Sequence, residues 1–372
     1  MINWFISRTH QRKIRSINPW IVGLLTLIAC IGFAILYSAG GGHLKPWASR
    51  QIVRFGVGLS MMIAIALVDI RFWFRNAYLM YFWVLGLLIV VELFGLVGMG
   101  AQRWINLYFF HLQPSELMKI SLVVALARYF YGLSIYDTQK LTSLMPAFAL
   151  VFIPALFILK QPDLGTALVL IMVGCTLIYY SGLPNWIIGM ASTLVLAAMP
   201  LMWNRMHGYQ KNRVLTFLDP GRDPLGAGYH QLQSKIALGS GGIFGKGFLE
   251  GTQSHLNFLP EKQTDFVFTM YSEEFGFIGG VFLLILYAIL IAYGYTVSTQ
   301  CRNRFGSLLA AGISTILFIY VIVNVGMVAG LLPVVGVPLP LVSYGGTSMI
   351  TVLMGMGFII SVDIHKNRLS TF

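Results

Sequence analysis

Two long stretches of this chain, Leu164–Asn204 and Phe305–Val362, contain no Asp, Glu, Lys or Arg. Neither can supply the water-facing side of a soluble fold. Each is also too long for one bilayer crossing of about 20 residues. Turn chemistry breaks both: Gly182-Leu-Pro-Asn185 in the first and the Gly/Pro-rich segment 330–340 in the second. Charged residues are 10% of the whole chain, against about 25% in soluble domains. That scarcity excludes a cytosolic enzyme, a disordered protein and a secreted disulfide scaffold. What remains is an all-α integral membrane protein.

About ten transmembrane helices are expected. The first five lie near Pro19–Ser38, Gln51–Val68, Ala77–Val97, Pro114–Gly132 and Thr142–Leu159. The next two lie near Pro162–Ser181 and Asn185–Trp203, and the last three near Glu274–Val297, Leu308–Leu331 and Tyr344–Asp363. The basic start, with Arg8, Arg12, Lys13 and Arg15, precedes an apolar run longer than a signal-peptide core, so that run reads as the first span. Ten spans place both termini on one side. The loops on that side carry twelve Lys and Arg against six in the short loops and helix ends opposite. The positive-inside rule therefore makes both termini cytoplasmic. The expected organisation is one polytopic domain, 1–372, with one long extracytoplasmic loop, about 204–273, between the seventh and eighth spans. The net charge of +12 is the ordinary result of cations beside anionic lipid headgroups and gives no sign of nucleic acid.

Ionisable residues at or within such spans are costly and usually have a partner or a task. Three places stand out. Glu116 and Lys119, in Gln113-Pro-Ser-Glu-Leu-Met-Lys119, share a helix face. They read either as an ion pair that orients the fourth span or as the polar wall of a cavity. Asp163, in Gln161-Pro-Asp-Leu-Gly165, follows Pro162 at a helix start. It reads either as a cap or as a third member of the same cluster. Asp265 stands between a polar loop and an apolar helix in Leu259-Pro-Glu-Lys-Gln-Thr-Asp265. It reads either as an N-cap or as a partly desolvated general base. A single cavity lined by Asp265, Glu116, Lys119 and Asp163 is expected.

Other motifs fail. Gly241-Gly-Ile-Phe-Gly-Lys246-Gly247 has Ser240 where a phosphate loop needs its first glycine, and Gly247 where it needs Ser or Thr. Cys30, Cys175 and Cys301 are scattered, and the seven histidines include no i, i+4 pair, so no structural metal site is expected.

Taken together, Gly100-Ala-Gln-Arg103-Trp104, Gln113-Pro-Ser-Glu116, Gln161-Pro-Asp163-Leu-Gly165-Thr, Asp223-Pro-Leu-Gly-Ala-Gly-Tyr-His230, Thr264-Asp265-Phe and Pro333-Val-Val-Gly-Val-Pro-Leu-Pro-Leu-Val-Ser343-Tyr-Gly-Gly346 resemble the SEDS family (shape, elongation, division, sporulation). The matching stretches run from about residue 20 to 363. Gly239-Ser-Gly-Gly242 and Gly251-Thr-Gln-Ser254 are similar to its elongation branch. The family often has His two residues before the aspartate. Here that residue is Gln263, which leaves Asp265 as the candidate base.

The resemblance implies a peptidoglycan glycosyltransferase of the bacterial cytoplasmic (inner) membrane. It would join lipid II disaccharides into β-1,4 glycan strands on the extracytoplasmic side and release undecaprenyl pyrophosphate. It also implies Asp265 as the functional aspartate and a class B penicillin-binding protein, the transpeptidase, as partner. Such chemistry needs cations near the pyrophosphate. The candidates are Lys119, Arg213, Arg103 and Lys246, then Arg50, Lys235 and Lys262. A divalent cation, Mg or Mn, is a candidate to share that task, with Asp265 or Glu116 as ligand. The residues alone also fit a lipid II flippase or a non-catalytic scaffold of the elongation machinery.

Overall fold

A computed structural model describes residues 17–98, 101–106, 111–134, 136–187, 208–219, 227–255 and 261–366, with isolated positions between 189 and 205. Helix α1 (Pro19–Ala39) starts where the Asn18 side chain accepts from the Trp20 amide at 3.0 Å and Pro19 fills the first turn. Helix α2 (Ala48–Leu67) follows. Helix α3 (Ile70–Phe94) is capped by Asp69. It begins a full turn and more before the expected Ala77 because that cap holds Arg71 and Arg75 inside the helix.

Three short antiparallel strands, β1 (Leu96–Gly98), β2 (Ala101–Asn106) and β3 (His111–Leu112), link α3 to α4 (Pro114–Tyr131). Then come α5 (Leu141–Lys160) and α6 (Leu164–Tyr180). The expected seventh span, Asn185–Trp203, lies largely outside the described residues. The long loop contributes α7 (Gly208–Leu218), α8 (Ala227–Ser240) and the single turn α9 (Thr252–His255). Three long helices complete the chain: α10 (Val267–Gln300), α11 (Arg304–Val328) and α12 (Gly346–His365).

Seven of the described helices are long and apolar enough to cross a membrane, and α6 is a shorter apolar helix. Burial separates centre from rim. In the most apolar windows of α11 and α12, 83% and 72% of residues are buried, against 28% for α3. Helix α4 is buried on nearly every side despite Glu116, Lys119 and Arg128. A helix apolar all round belongs in a core. The outer helices instead leave Leu79, Phe82, Trp83 and Leu93 exposed. Such apolar surface is stable only against lipid. The chain is thus a multi-pass membrane protein.

The glycine cluster after α8 has a structural task. Helix α10 breaks at Gly276 (φ 68°, ψ −167°). The loop 241–247 clasps that break. Phe277 and Ile278 amides donate to the Gly242 and Ile243 carbonyls at 2.9 and 3.2 Å, and Lys246 and Gly247 amides donate to the Glu273 and Glu274 carbonyls, both at 3.1 Å. Gly245 has φ +85°, and a Cβ there would overlap the Glu274 carbonyl. Gly245→Ala is expected to cost about 1–3 kcal/mol, measured as a lower midpoint of thermal unfolding in detergent.

Candidate active site

Four of the candidate residues meet at one end of the bundle. Pro114 starts α4 and sets Glu116 in its first turn, with Lys119 one turn on. The Lys119 ammonium donates to Glu116 Oε1 at 2.6 Å. The pair is 1% and 4% exposed, so each charge needs more than the other. Tyr320 of α11 supplies it: its hydroxyl donates to Glu116 Oε2 at 2.7 Å and receives a hydrogen bond from Lys119. A narrow cavity beside this triad is lined by Glu116, Lys119, Tyr320 and Thr351 with aliphatic side chains.

Asp163 both caps and pairs. Its Oδ1 accepts from the Thr166 amide at 3.2 Å, capping α6. Its Oδ2 accepts from Gln113 Nε2 at 3.2 Å and faces Arg103 Nε at 3.8 Å. Arg103, on β2, also donates to the carbonyls of Pro162 at 2.7 Å and Gln161 at 3.4 Å. Asp163 is thus a helix cap that also holds Gln113 and Arg103.

Asp265 sits half-buried in the turn that enters α10. A set of hydrogen bonds zips this turn to the loop between α11 and α12. Asn324 Nδ2 donates to the Asp265 carbonyl at 2.9 Å and to the Val337 carbonyl at 2.7 Å. Ser343 Oγ donates to the Thr264 carbonyl at 2.6 Å, and the Tyr344 amide donates to the Gln263 carbonyl at 2.7 Å. That last bond is why α12 begins at Gly346 rather than at the expected Tyr344. Each of these contacts to 263–265 ends on a backbone carbonyl of the turn. Its Oδ2 lies 3.4 Å from where a Cβ on Gly336 would stand.

The narrow cavity beside Glu116 and Lys119 is lined by neither Asp163 nor Asp265. The loop after α11 re-enters the bundle instead. Gly165, two residues past Asp163, packs on the Val335 backbone, and Gly336, the next residue, touches Asp265. The two aspartates are therefore neighbours of one loop. Gly336 has φ +72°, a conformation that glycine adopts without penalty.

The remaining cations are scattered. Lys246 is tied to Glu273 at 2.8 Å and to Thr252 at 2.7 Å, within the clasp described above. Arg50 is exposed at the start of α2, and Lys235 is exposed on α8, its chain lying over Gly330. Arg213 belongs to α7, but its side chain lies outside the described residues. Burial pushes the Lys262 ammonium below its ordinary pKa. Among the described residues, no three His, Cys, Asp or Glu side chains come together to hold a metal.

Sequence reasoning missed Tyr320, Asn324, Ser343 and Arg54. Tyr320 and Asn324 carried a usable signal. They lie four apart on a helix with no charged side chain after Arg304, so they share one face, and that face meets both polar groups. Asn324→Ala would leave the carbonyls of Asp265 and Val337 unpaired. It is expected to cost about 1–3 kcal/mol and to lower turnover, measured by unfolding and rate assays on the same preparation.

The FTSW_RODA_SPOVE family profile, described as cell cycle protein, matches residues 17–368. The chain is 43% identical over 355 residues to the peptidoglycan glycosyltransferase MrdB of Escherichia coli, covering 95% of each. It is 30% identical over 424 residues to the peptidoglycan glycosyltransferase RodA of Treponema pallidum, covering 92% of this chain and 97% of that one. Among solved structures it resembles a chain of a peptidoglycan synthase complex described as coordinating polymerization and crosslinking, with TM-score 0.81 and 32% identity over 95% of this chain and 99% of that one. It also resembles a mutant of the rod shape determining protein RodA of Thermus thermophilus, with TM-score 0.70 and 28% identity over 94% and 98%.

Proposed function

Because the chain belongs to the FTSW_RODA_SPOVE family of cell cycle proteins, we propose that it is a peptidoglycan glycosyltransferase working as a single polytopic domain in the cytoplasmic membrane, with its active site on the extracytoplasmic side. Its substrates are two lipid II molecules. The 4-hydroxyl of one GlcNAc attacks C1 of the MurNAc of the other, the C1–O bond to undecaprenyl pyrophosphate breaks, and a β-1,4 link forms. The donor linkage is α, so one in-line displacement with inversion suffices.

Asp265 takes the proton of the attacking hydroxyl. The observation that carries this reading is the way Asp265 is held. Asn324 and Ser343 pin its turn through the Asp265 and Thr264 carbonyls, at the end of the bundle where Arg103, Asp163, Glu116 and Lys119 also gather. A base whose backbone is pinned in this way is held in a fixed place relative to the substrate. The leaving pyrophosphate needs no obligatory proton, so one carboxylate is enough, and nearby cations stabilise the departing charge. Lys119 and Arg103 are the candidates nearest this end. The relative that forms a peptidoglycan synthase complex supports a class B penicillin-binding protein transpeptidase as partner, receiving the strand as it forms.

The test is direct. The purified chain, incubated with labelled lipid II in detergent, is expected to yield glycan strands resolved by gel. Movement of lipid II between leaflets of vesicles, with no polymer formed, would establish a transporter instead.

A further inference from the structure

Most cations of the site are spoken for: Lys119 by Glu116 and Tyr320, Arg103 by Asp163, Lys246 by Glu273. Arg54 is not. It lies on α2, one turn after Arg50, with its guanidinium carbon 4.6 Å from the centre of the Tyr344 ring. It also borders the Gly346 backbone, 3.3 Å from where a Cβ would stand. Its Nη1 is buried and has no hydrogen-bond partner among the described residues. Neither Arg50 nor Arg54 forms an ion pair among the described residues. Two like charges four residues apart on one helix repel, and a buried N–H without an acceptor costs free energy. Both penalties vanish if an anion binds there.

The surroundings suit a particular kind of anion. Helix α12 starts at Gly346 with no side-chain cap, so first-turn amides beside Arg54 add positive potential. Tyr344 is bonded to Gln263, two residues before Asp265. Thr347, in the same first turn, accepts from the Gln113 amide, and the Gln113 side chain holds Asp163. The Arg54 guanidinium thus borders both aspartate regions. On its other side, Ile52, Val53 and Val57 of α2 are exposed and apolar, a strip fit for a hydrocarbon chain.

We propose that Arg54 is a binding residue for the pyrophosphate of a polyprenyl-linked donor. Its Nη1 and the first-turn amides of α12 donate to phosphate oxygens, while the prenyl chain lies along Ile52, Val53 and Val57. The inference rests on the glycosyltransferase reading and assigns its anion subsite. An anionic phospholipid headgroup offers the same phosphate chemistry, and the experiment separates the two.

Full-length wild-type protein, Arg54→Gln and Arg54→Lys are assayed for polymerisation of labelled lipid II in neutral detergent, with and without phosphatidylglycerol. Arg54→Gln is expected to raise KM on the order of tenfold with kcat little changed, the effect of one lost charge-assisted contact made equally in ground and transition state. Arg54→Lys falls between, because it keeps the charge but loses the planar donor. An unchanged KM, or a defect in kcat alone, overturns the proposal. A defect that exists only when phosphatidylglycerol is present overturns it in favour of a headgroup site.

A second readout does not need turnover. Inorganic pyrophosphate is expected to raise the unfolding temperature of the wild type and to do so less in Arg54→Gln, or in Arg54→Lys should the Gln variant fail to fold. Equal stabilisation of wild type and variant sinks the subsite. Absence of polymer from wild type, with the pyrophosphate difference intact, sinks the glycosyltransferase reading while the anion site stands.

Discussion

Asp265→Asn is expected to abolish polymerisation while leaving the protein folded and membrane-inserted. The substitution is isosteric and removes only the basic oxygen. The bonds from Asn324, Ser343 and Tyr344 that zip 263–265 to the neighbouring loop all end on backbone carbonyls. The variant keeps all of them. Removing a positioned general base costs roughly 10²–10⁴ in rate, close to the floor of a gel assay for labelled glycan. The unfolding temperature should stay near that of the wild type. A variant that folds normally and polymerises at the wild-type rate would show that the proton leaves by another route. A variant that is inactive and unfolded would show a structural aspartate; Asp265→Glu, which restores a carboxylate one methylene further out, then separates the two by partial recovery of rate.

The second large effect concerns stability. Lys119→Met leaves Glu116 buried with Tyr320 as its remaining partner. Breaking a buried ion pair from one side costs about 3–5 kcal/mol, because the surviving charge has lost its water and gained nothing. The unfolding midpoint in detergent should fall sharply. Glu116→Gln with Lys119→Met removes both charges and should recover most of the loss. A double-mutant cycle measures the coupling. Activity then decides what the pair does. If the stable double variant polymerises normally, Glu116 and Lys119 only join α4 to α11. If it is stable and its kcat is low, they act on the substrate's charge, as proposed. A single variant with an unchanged midpoint would contradict the buried pairing itself.

Much of the architecture was legible because of a single constraint. Lipid tolerates long apolar helices and little else, so span positions follow from where charges are missing. The errors sit at helix starts, where one side chain or one hydrogen bond moves the boundary. Asp69 extends α3 backwards by capping it, and Glu273 and Glu274 lie inside α10, not at its start, where Lys246 bonds the first and Ser38 the second. The site was legible to a lesser degree. Glu116 with Lys119, and Asp163 with Arg103, were recognisable as charges in expensive places. Lys246 looked equally eligible by that criterion, and only the clasp around Gly276 reveals that its charge is committed to Glu273. Asn324 and Ser343 are neutral residues in apolar surroundings. Their importance lies in which carbonyls they reach across the fold.

Composition and the spacing of charges by themselves determined that this chain is a helical membrane protein with ionisable side chains collected near a few helix ends. Those properties depend on local sequence, since a missing charge or a proline acts on its own helix. Only the tertiary structure decided that Asp163 and Asp265 flank one re-entrant loop, and that Arg54 keeps a buried guanidinium nitrogen without a hydrogen-bond partner among the described residues. Such relations join residues up to about three hundred positions apart in sequence, as between Arg54 and Tyr344. They arise from how α2, α11 and α12 pack, and no short-range pattern encodes them.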